Sequence, residues 1–200
     1  MDINQVVERA KAILLNPKPT WEIIKGETTT VARVYKEYLV PLAVVPAVAM
    51  FIGRSVIGVS YSFMGYYRQP IVSGLVTAVL LYVLTLVGIF IMGKIIDAVA
   101  PTFGATRNDL NAFKVAAYAW TPALIAGIVN IIPMLAPVGL LASLYGIYLL
   151  YLGLLVLMAC PAEKAVGYTV VCVVVMAVIY VLVGSIVGGV ATGFHPRLTG

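Results

Sequence analysis

Five long apolar runs separated by short polar stretches dominate this sequence of 200 residues. Each run can cross about 30 Å of hydrocarbon as a helix that rises ~1.5 Å per residue. Apolar residues make up 62% of the chain and charged residues only 10%, more apolar surface than a soluble domain of this size can bury. The sequence therefore predicts an all-α integral membrane protein with five transmembrane helices and a short amphipathic N-terminal head. The predicted spans are about 39–58, 71–93, 112–133, 138–159 and 167–190.

The predicted organisation has three parts. A cytoplasmic amphipathic head covers 1–37, the transmembrane domain covers 38–192, and a short outside tail covers 193–200. The connections after the third and fourth spans are very short, so we expect the last three spans to be antiparallel neighbours.

The distribution of Lys and Arg predicts the orientation, because cytoplasmic loops carry an excess of both. With the N-terminus inside, ten basic residues face the cytoplasm and three face outward, and with five spans the C-terminus lies outside. The ten are Arg9, Lys11, Lys18, Lys25, Arg33, Lys36, Lys94, Arg107, Lys114 and Lys164, and the three are Arg54, Arg68 and Arg197.

The head is predicted to contain two short helices. Asp2 is the expected N-cap of the first, whose apolar residues recur on one face until Asn16 and Pro17 stop it. The second is expected to start at Thr20, with Trp21 at the lipid headgroup level. Two placements remain open for the first helix: it lies in the membrane interface, or it docks on the bundle.

Several charges lie close to predicted span ends. Lys94 and Asp97 are spaced i,i+3 and can pair on one helix face, and their expected role, like that of Lys114, is anchoring at the interface. Ionisable groups inside a bilayer are otherwise candidates for function. Glu163 and Lys164 are expected to form a solvated pair in a turn.

Polar side chains inside the spans form a candidate interior cluster. Pro122 leaves the Tyr118 carbonyl without its helical donor, so the third span should bend there, and Thr121 can re-satisfy the break. Hydroxyl and amide groups in hydrocarbon need partners, so the tyrosines of the fourth span and Asn130 should face other helices. The cluster comprises Tyr118, Thr121, Pro122, Asn130, Tyr145, Tyr148 and Tyr151.

Gly184 and Gly188 form a small-x-x-x-small pair in the fifth span. Glycines at this spacing let two helices approach closely. The pair fits either a contact inside the bundle, which we favour slightly, or a homodimer interface.

The sequence contains no set of residues typical of catalysis. Cys160, Cys172 and His195 have no metal-ligand spacing, and the cysteines are interpreted as packing residues. Nucleophile triads, zinc-protease motifs and phosphate-binding glycine loops do not occur. We therefore predict no enzyme activity, no cofactor and no metal. Basic residues flank apolar runs rather than forming a patch, which argues against nucleic acid and for the lipid bilayer as partner.

Four segments resemble the Ypt/Rab-interacting protein (YIP) family of five-span membrane proteins. They are Asn16–Trp21, Ala116–Pro122, Tyr145–Met158 and the E-K-A-V-G-Y-T run that begins at Glu163. The resemblance implies five spans, a cytoplasmic N-terminus and an outward C-terminus. The chain lacks the long cytosolic extension of eukaryotic members and is similar to the compact prokaryotic type, so a cytoplasmic membrane is expected and a Rab role is not carried over.

Two functions remain open. The protein is either a non-enzymatic membrane organiser that binds partner proteins or lipids, or a small channel or transporter for ions, protons or lipid. A water-filled cavity lined by Tyr118, Tyr145 and Tyr148 would favour transport, and dry packing there would favour the organiser.

Overall fold

The computed structural model of the chain describes residues 3–61, 65–132 and 135–193. The protein is α-helical, as predicted, apart from a small antiparallel hairpin formed by β1 (Val59–Tyr61) and β2 (Gly65–Tyr67), which the sequence patterns did not indicate. The helices are α1 (Ile3–Leu15), α2 (Pro17–Gly26), α3 (Val31–Val34), α4 (Val40–Phe51), α5 (Ile71–Val99), α6 (Asp109–Ala119), α7 (Thr121–Ala126), α8 (Ala136–Leu157) and α9 (Ala162–Gly193).

Short irregular helical turns join some of these helices into longer rods. Two π-helical turns continue α3 and α4 into one rod over Val31–Ile57, and 3-10 turns extend α5 to Phe103 and α7 to Ile131. In the part of the chain that the structure describes, four helical rods are long and apolar enough to cross a membrane. They are Val31–Ile57, Ile71–Phe103, Asp109–Ile131 and Ala162–Ala191. Within α8, Leu141–Leu157 is a shorter apolar segment.

The helices extend beyond the apolar runs because polar turns cap them. The Thr30 side chain accepts a hydrogen bond from the backbone N–H of Arg33, which starts the first rod eight residues before the predicted span at residue 39. The predicted N-cap Asp2, Pro133 and the tail from residue 194 lie outside the described residues.

Helix α5 is the central element of the bundle and packs against α4, α6 and α9. Its buried side chains Ile89, Met92 and Ile96 have no solvent exposure. Gly93 lets α6 come close, because a Cβ at this position would lie 3.1 Å from the Phe113 Cα. The apolar outer faces of α5 and α9 remain exposed, as expected for surfaces that contact lipid.

Helices α1 and α2 form an N-terminal helical hairpin, defined here as residues 3–26. Asn16 separates them and Pro17 begins α2, which corrects the predicted start at Thr20. Proline is well suited to the first turn of a helix because its missing N–H would be unpaired there anyway. The Thr20 hydroxyl bonds the carbonyls of Ala12 (3.0 Å) and Asn16 (2.6 Å), which fixes the angle between the two helices.

Candidate functional site

The N-terminal helical hairpin packs against the bundle, while Leu15 and Asn16 at its tip are exposed. The Tyr145 hydroxyl donates to the carbonyl of Leu14 at 2.7 Å. Tyr145 lies twelve residues before Leu157, about 18 Å along α8 from the end at which α5 ends and α6 begins, called here the head end. Of the two placements left open, the structure therefore has the docked one, with the hairpin lying along α8.

Trp21 anchors the second helix of the hairpin inside the bundle. Its side chain has no solvent exposure, and its ring meets Tyr118 edge-on at a centroid distance of 6.1 Å. Gly153 on α8 makes room for it, because a Cβ there would lie 3.0 Å from two indole carbons. The structure thus buries Trp21 against α6 and α8, although its indole N–H has no hydrogen-bond partner among the described residues.

Lys114 on α6 holds the C-terminal end of α2 through hydrogen bonds. The residue is only 1% exposed, and its Nζ donates to the carbonyls of Ile24 (2.8 Å) and Glu27 (3.1 Å). These carbonyls lie at the C-terminal end of α2, where the helix dipole favours a positive charge. The predicted anchoring role of Lys114 at the interface is therefore wrong. The ammonium is an internal cap for a helix that lies ninety residues earlier in the chain.

A charged cleft opens at the head end between α1, the connector 27–30 and the start of the first rod. Its volume is about 530 Å³, within the range of small-molecule sites. Five charged residues line it: Glu8, Arg9, Glu27, Arg33 and Glu37. Arg9 forms an ion pair with Glu27, which brings the middle of α1 to the end of α2, and Arg33 pairs with Glu37 at 3.1 Å.

Two tyrosines close the floor of the cleft. Tyr38 and Tyr118 are almost fully buried, with ring centroids 4.7 Å apart. The Tyr38 hydroxyl shares a hydrogen bond of 2.7 Å with the Thr121 hydroxyl. The helix breaks at Trp120, between α6 and α7, as predicted from Pro122. The cleft thus ends at the break between α6 and α7.

The structure brings together only part of the predicted interior cluster. Tyr118, Thr121 and Pro122 are buried around the cleft floor, together with Tyr38, which sequence reasoning missed. Tyr145 instead contacts the hairpin tip. Of the remaining three residues, Asn130 and Tyr151 are partly buried elsewhere and Tyr148 is exposed.

Tyr148 corrects the expectation that the tyrosines of the fourth span all face other helices. It is 41% exposed, and its ring lies 5.8 Å from that of Tyr145. Three residues turn an α-helix by about 300°, so each step of three moves a side chain ~60° around the axis. Tyr145, Tyr148 and Tyr151 therefore spread over a third of the helix circumference instead of sharing one face.

The predicted pair of Lys94 and Asp97 is also wrong. Lys94 forms an ion pair with Asp109 at 2.6 Å. Arg107 donates from both Nη2 (2.9 Å) and Nε (3.1 Å) to one carboxylate oxygen of Asp97. Lys94 and Asp97 on α5 therefore pair with residues 107–109, at the start of α6, because this segment folds back along α5. The turn residues predicted as a solvated pair, at 163 and 164, are both exposed.

Close glycine contacts occur, but not at the predicted glycines. A Cβ at Gly184 or Gly188 would meet nothing within 4 Å in the described part of the chain, so this structure does not require a glycine at either position. A Cβ at Gly53 would lie 2.0 Å from the backbone oxygen of Asn130, and one at Gly127 would lie 2.5 Å from Cβ of Pro46. Each of these two glycines has an alanine four residues earlier, Ala49 and Ala123, a spacing too common in apolar helices to have singled them out.

Comparison with protein families matches residues 11–185 to the Yip1 domain. The chain belongs to the Yip1 domain family. The match agrees with the resemblance drawn from the sequence motifs, and it covers every helix from the second half of α1 to most of α9. Two charged residues of the cleft, Glu8 and Arg9, precede the matched region of the Yip1 domain.

Two curated relatives are similar to this Yip1 domain protein. They are the inner membrane protein YohC of Escherichia coli strain K12 and that of Escherichia coli O6:H1 strain CFT073. Each is 30% identical over 142 residues, which covers 70% of this chain and 73% of the relative. No solved structure matches the chain. Together with the apolar helices, these findings show that the protein is an integral membrane protein.

Proposed function

We propose that this Yip1 domain protein is a non-enzymatic binding scaffold of the cytoplasmic membrane, with the charged cleft as its binding site. The cleft carries the proposal. It joins charges of both signs, hydroxyl groups and an aromatic floor in one cavity of about 530 Å³. Such a cavity binds a ligand through charge and hydrogen bonds. The relatives named as inner membrane proteins support the location.

The scaffold has five spans in this proposal. Helix α8 has 22 residues, which rise about 33 Å and suffice for roughly 30 Å of hydrocarbon. The ten-to-three division of basic residues then puts the head end in the cytoplasm and the C-terminus outside.

Thiol labelling in intact cells tests this topology. A membrane-impermeant reagent should spare Thr28→Cys in the connector at the head end. It should label Tyr66→Cys in the β hairpin and Arg197→Cys in the tail. Protection at both the head end and residue 197 would mean an even number of spans and would rule out the five-span topology.

Transport is the second candidate, and the position of the cleft floor favours it. Broken helices line substrate paths in many transporters, and this cleft ends at the break around Trp120 and Pro122. The tight pair of Tyr38 and Thr121 closes the floor, and this closure favours the scaffold. Proteoliposomes that hold the purified protein should therefore show no ion or lipid flux above empty vesicles. Flux that Tyr38→Ala increases would favour transport instead.

Photo-crosslinking tests the binding role directly. A benzophenone amino acid at Thr29, which lines the cleft, should form an adduct of discrete mass in native membranes. The same group at Glu163, exposed at the head end but outside the cleft, is the matched control. Equal labelling from both positions, or none from Thr29, would contradict a ligand in the cleft.

A further inference from the structure

The charges of the cleft are arranged in opposed pairs rather than as a patch of one sign. Glu27 faces Arg9, and Glu37 binds the Nε of Arg33 through both oxygens, at 3.1 and 3.2 Å. Glu8 adds a third carboxylate at the rim, which leaves three acidic and two basic side chains on the lining. A ligand with a single charge would meet repulsion from one set or the other.

The Tyr118 hydroxyl, unpartnered within the described ranges, is the second observation that indicates a ligand in the cleft. The residue is 2% exposed and lines the cleft, yet its hydroxyl makes no hydrogen bond with any other residue that the structure describes. Tyr38 beside it is satisfied by Thr121. The ring is buried while the hydroxyl keeps accessible surface on the cleft, so its donor and acceptor are available to a ligand there.

We propose that the cleft binds a zwitterion that carries a primary ammonium and a phosphate, the chemistry of an ethanolamine phospholipid headgroup. This inference rests on the proposed binding role of the cleft. The ammonium lies toward the carboxylate of Glu8 at the rim, which is not paired with either arginine of the lining. The phosphate lies between the Arg9 guanidinium and the Tyr118 hydroxyl, both of which donate to anionic oxygens.

The depth of the cleft suits this ligand. Tyr118 lies nine residues into α6, so the floor is about 14 Å from the head end. The cleft opens at the head end, so a headgroup can enter it from the interfacial region, which is about 5–8 Å thick on each side of the hydrocarbon. The same zwitterion also exists as a free solute, phosphoethanolamine, and the experiment below separates the two sources.

Lipid binding to the purified full-length protein tests the proposal. Native mass spectrometry in detergent would compare short-chain lipids with ethanolamine, choline and glycerol headgroups. We expect the ethanolamine lipid to bind about tenfold more tightly than either of the others, since choline has no N–H to donate and the glycerol headgroup brings no ammonium to the Glu8 carboxylate.

Two variants locate the binding site. Tyr118→Phe keeps the ring that packs on Trp21, and Glu8→Gln changes an exposed rim residue, so both should fold, which a thermal melt verifies. Each should weaken ethanolamine lipid binding by roughly five- to tenfold. The matched controls, Tyr180→Phe on the exposed face of α9 and Glu163→Gln in the exposed first turn of α9, should leave binding unchanged.

The outcomes are distinct. Soluble phosphoethanolamine that displaces the lipid at millimolar concentration identifies the free solute as a ligand, and failure to displace it identifies the membrane lipid. Equal binding of the three headgroups, or variants that bind like the unmodified protein, overturns the zwitterion proposal. If the crosslinker at Thr29 still captures a ligand in that case, the scaffold function stands alone. If it captures none, both proposals fail.

Discussion

Lys114→Met should loosen the N-terminal helical hairpin without unfolding the bundle. Lys114 donates to the carbonyls of Ile24 and Glu27, and hydrogen bonds of a charged donor contribute about 1.5–3 kcal/mol each. Methionine matches the length of the lysine stem and removes the several kcal/mol that burial of an ammonium costs. These two effects largely cancel.

The unpaired carbonyl then decides the net change. The Ile24 oxygen still accepts from the backbone N–H of Glu27 at 3.3 Å, whereas the Glu27 oxygen loses the Lys114 donor. A fully buried acceptor without a partner costs roughly 1–3 kcal/mol, and the part-buried Glu27 carbonyl falls toward the lower end of that range. We therefore expect hairpin docking to weaken by about 1–2 kcal/mol, which raises the undocked population by roughly five- to thirtyfold.

Trp21 is a direct reporter of docking, because its side chain has no solvent exposure in the docked state. Trp120→Phe removes the other tryptophan, so acrylamide quenching of the remaining fluorescence measures hairpin release alone. Quenching should rise in Lys114→Met. Lys94→Met breaks an exposed ion pair, worth about 0–1 kcal/mol, and should change little. Equal quenching in both variants would refute the internal cap.

Three further predictions concern packing and reactivity. Gly53→Ala should lower the melting temperature in detergent, because its methyl group would overlap the backbone oxygen of Asn130 and overpacking costs about 1–3 kcal/mol, whereas Gly184→Ala should not. Tyr148→Phe should leave the melting temperature unchanged, and a clear loss of stability would show that its hydroxyl has a partner. Burial raises the pKa of the Cys160 thiol, so iodoacetamide at pH 8 should label it far more slowly in the folded protein than in denaturant, and similar rates would contradict its burial.

Local patterns in the sequence were sufficient to predict the helices. A long apolar run or a proline acts on its own segment, so the helical class, the end of α1 before Pro17 and the break before Pro122 could all be predicted. Helix bounds were less accurate, because caps such as Thr30 extend a helix past its apolar run. The β hairpin has no comparable signal, since its two strands have only three residues each.

The cleft could not be predicted, because each of its charged residues resembles an ordinary surface residue in the sequence. Arg9 and Glu27 are eighteen residues apart, and Lys114 meets the hairpin across ninety. Only the folded chain shows that they share one site. Tyr118 was correctly assigned to the interior from its place in an apolar run, but its partners Trp21 and Tyr38 belong to segments whose docking no periodicity reveals.

The docked hairpin has a consequence for the order in which the chain assembles. Residues 3–26 are synthesised before α6 and α8, yet their contacts include Lys114 on α6 and Tyr145 on α8, the second of which lies 131 residues after Leu14. The hairpin can therefore reach its final position only after α8 has been made. A nascent protein that stops before α8 would present the hairpin to other factors at the membrane surface.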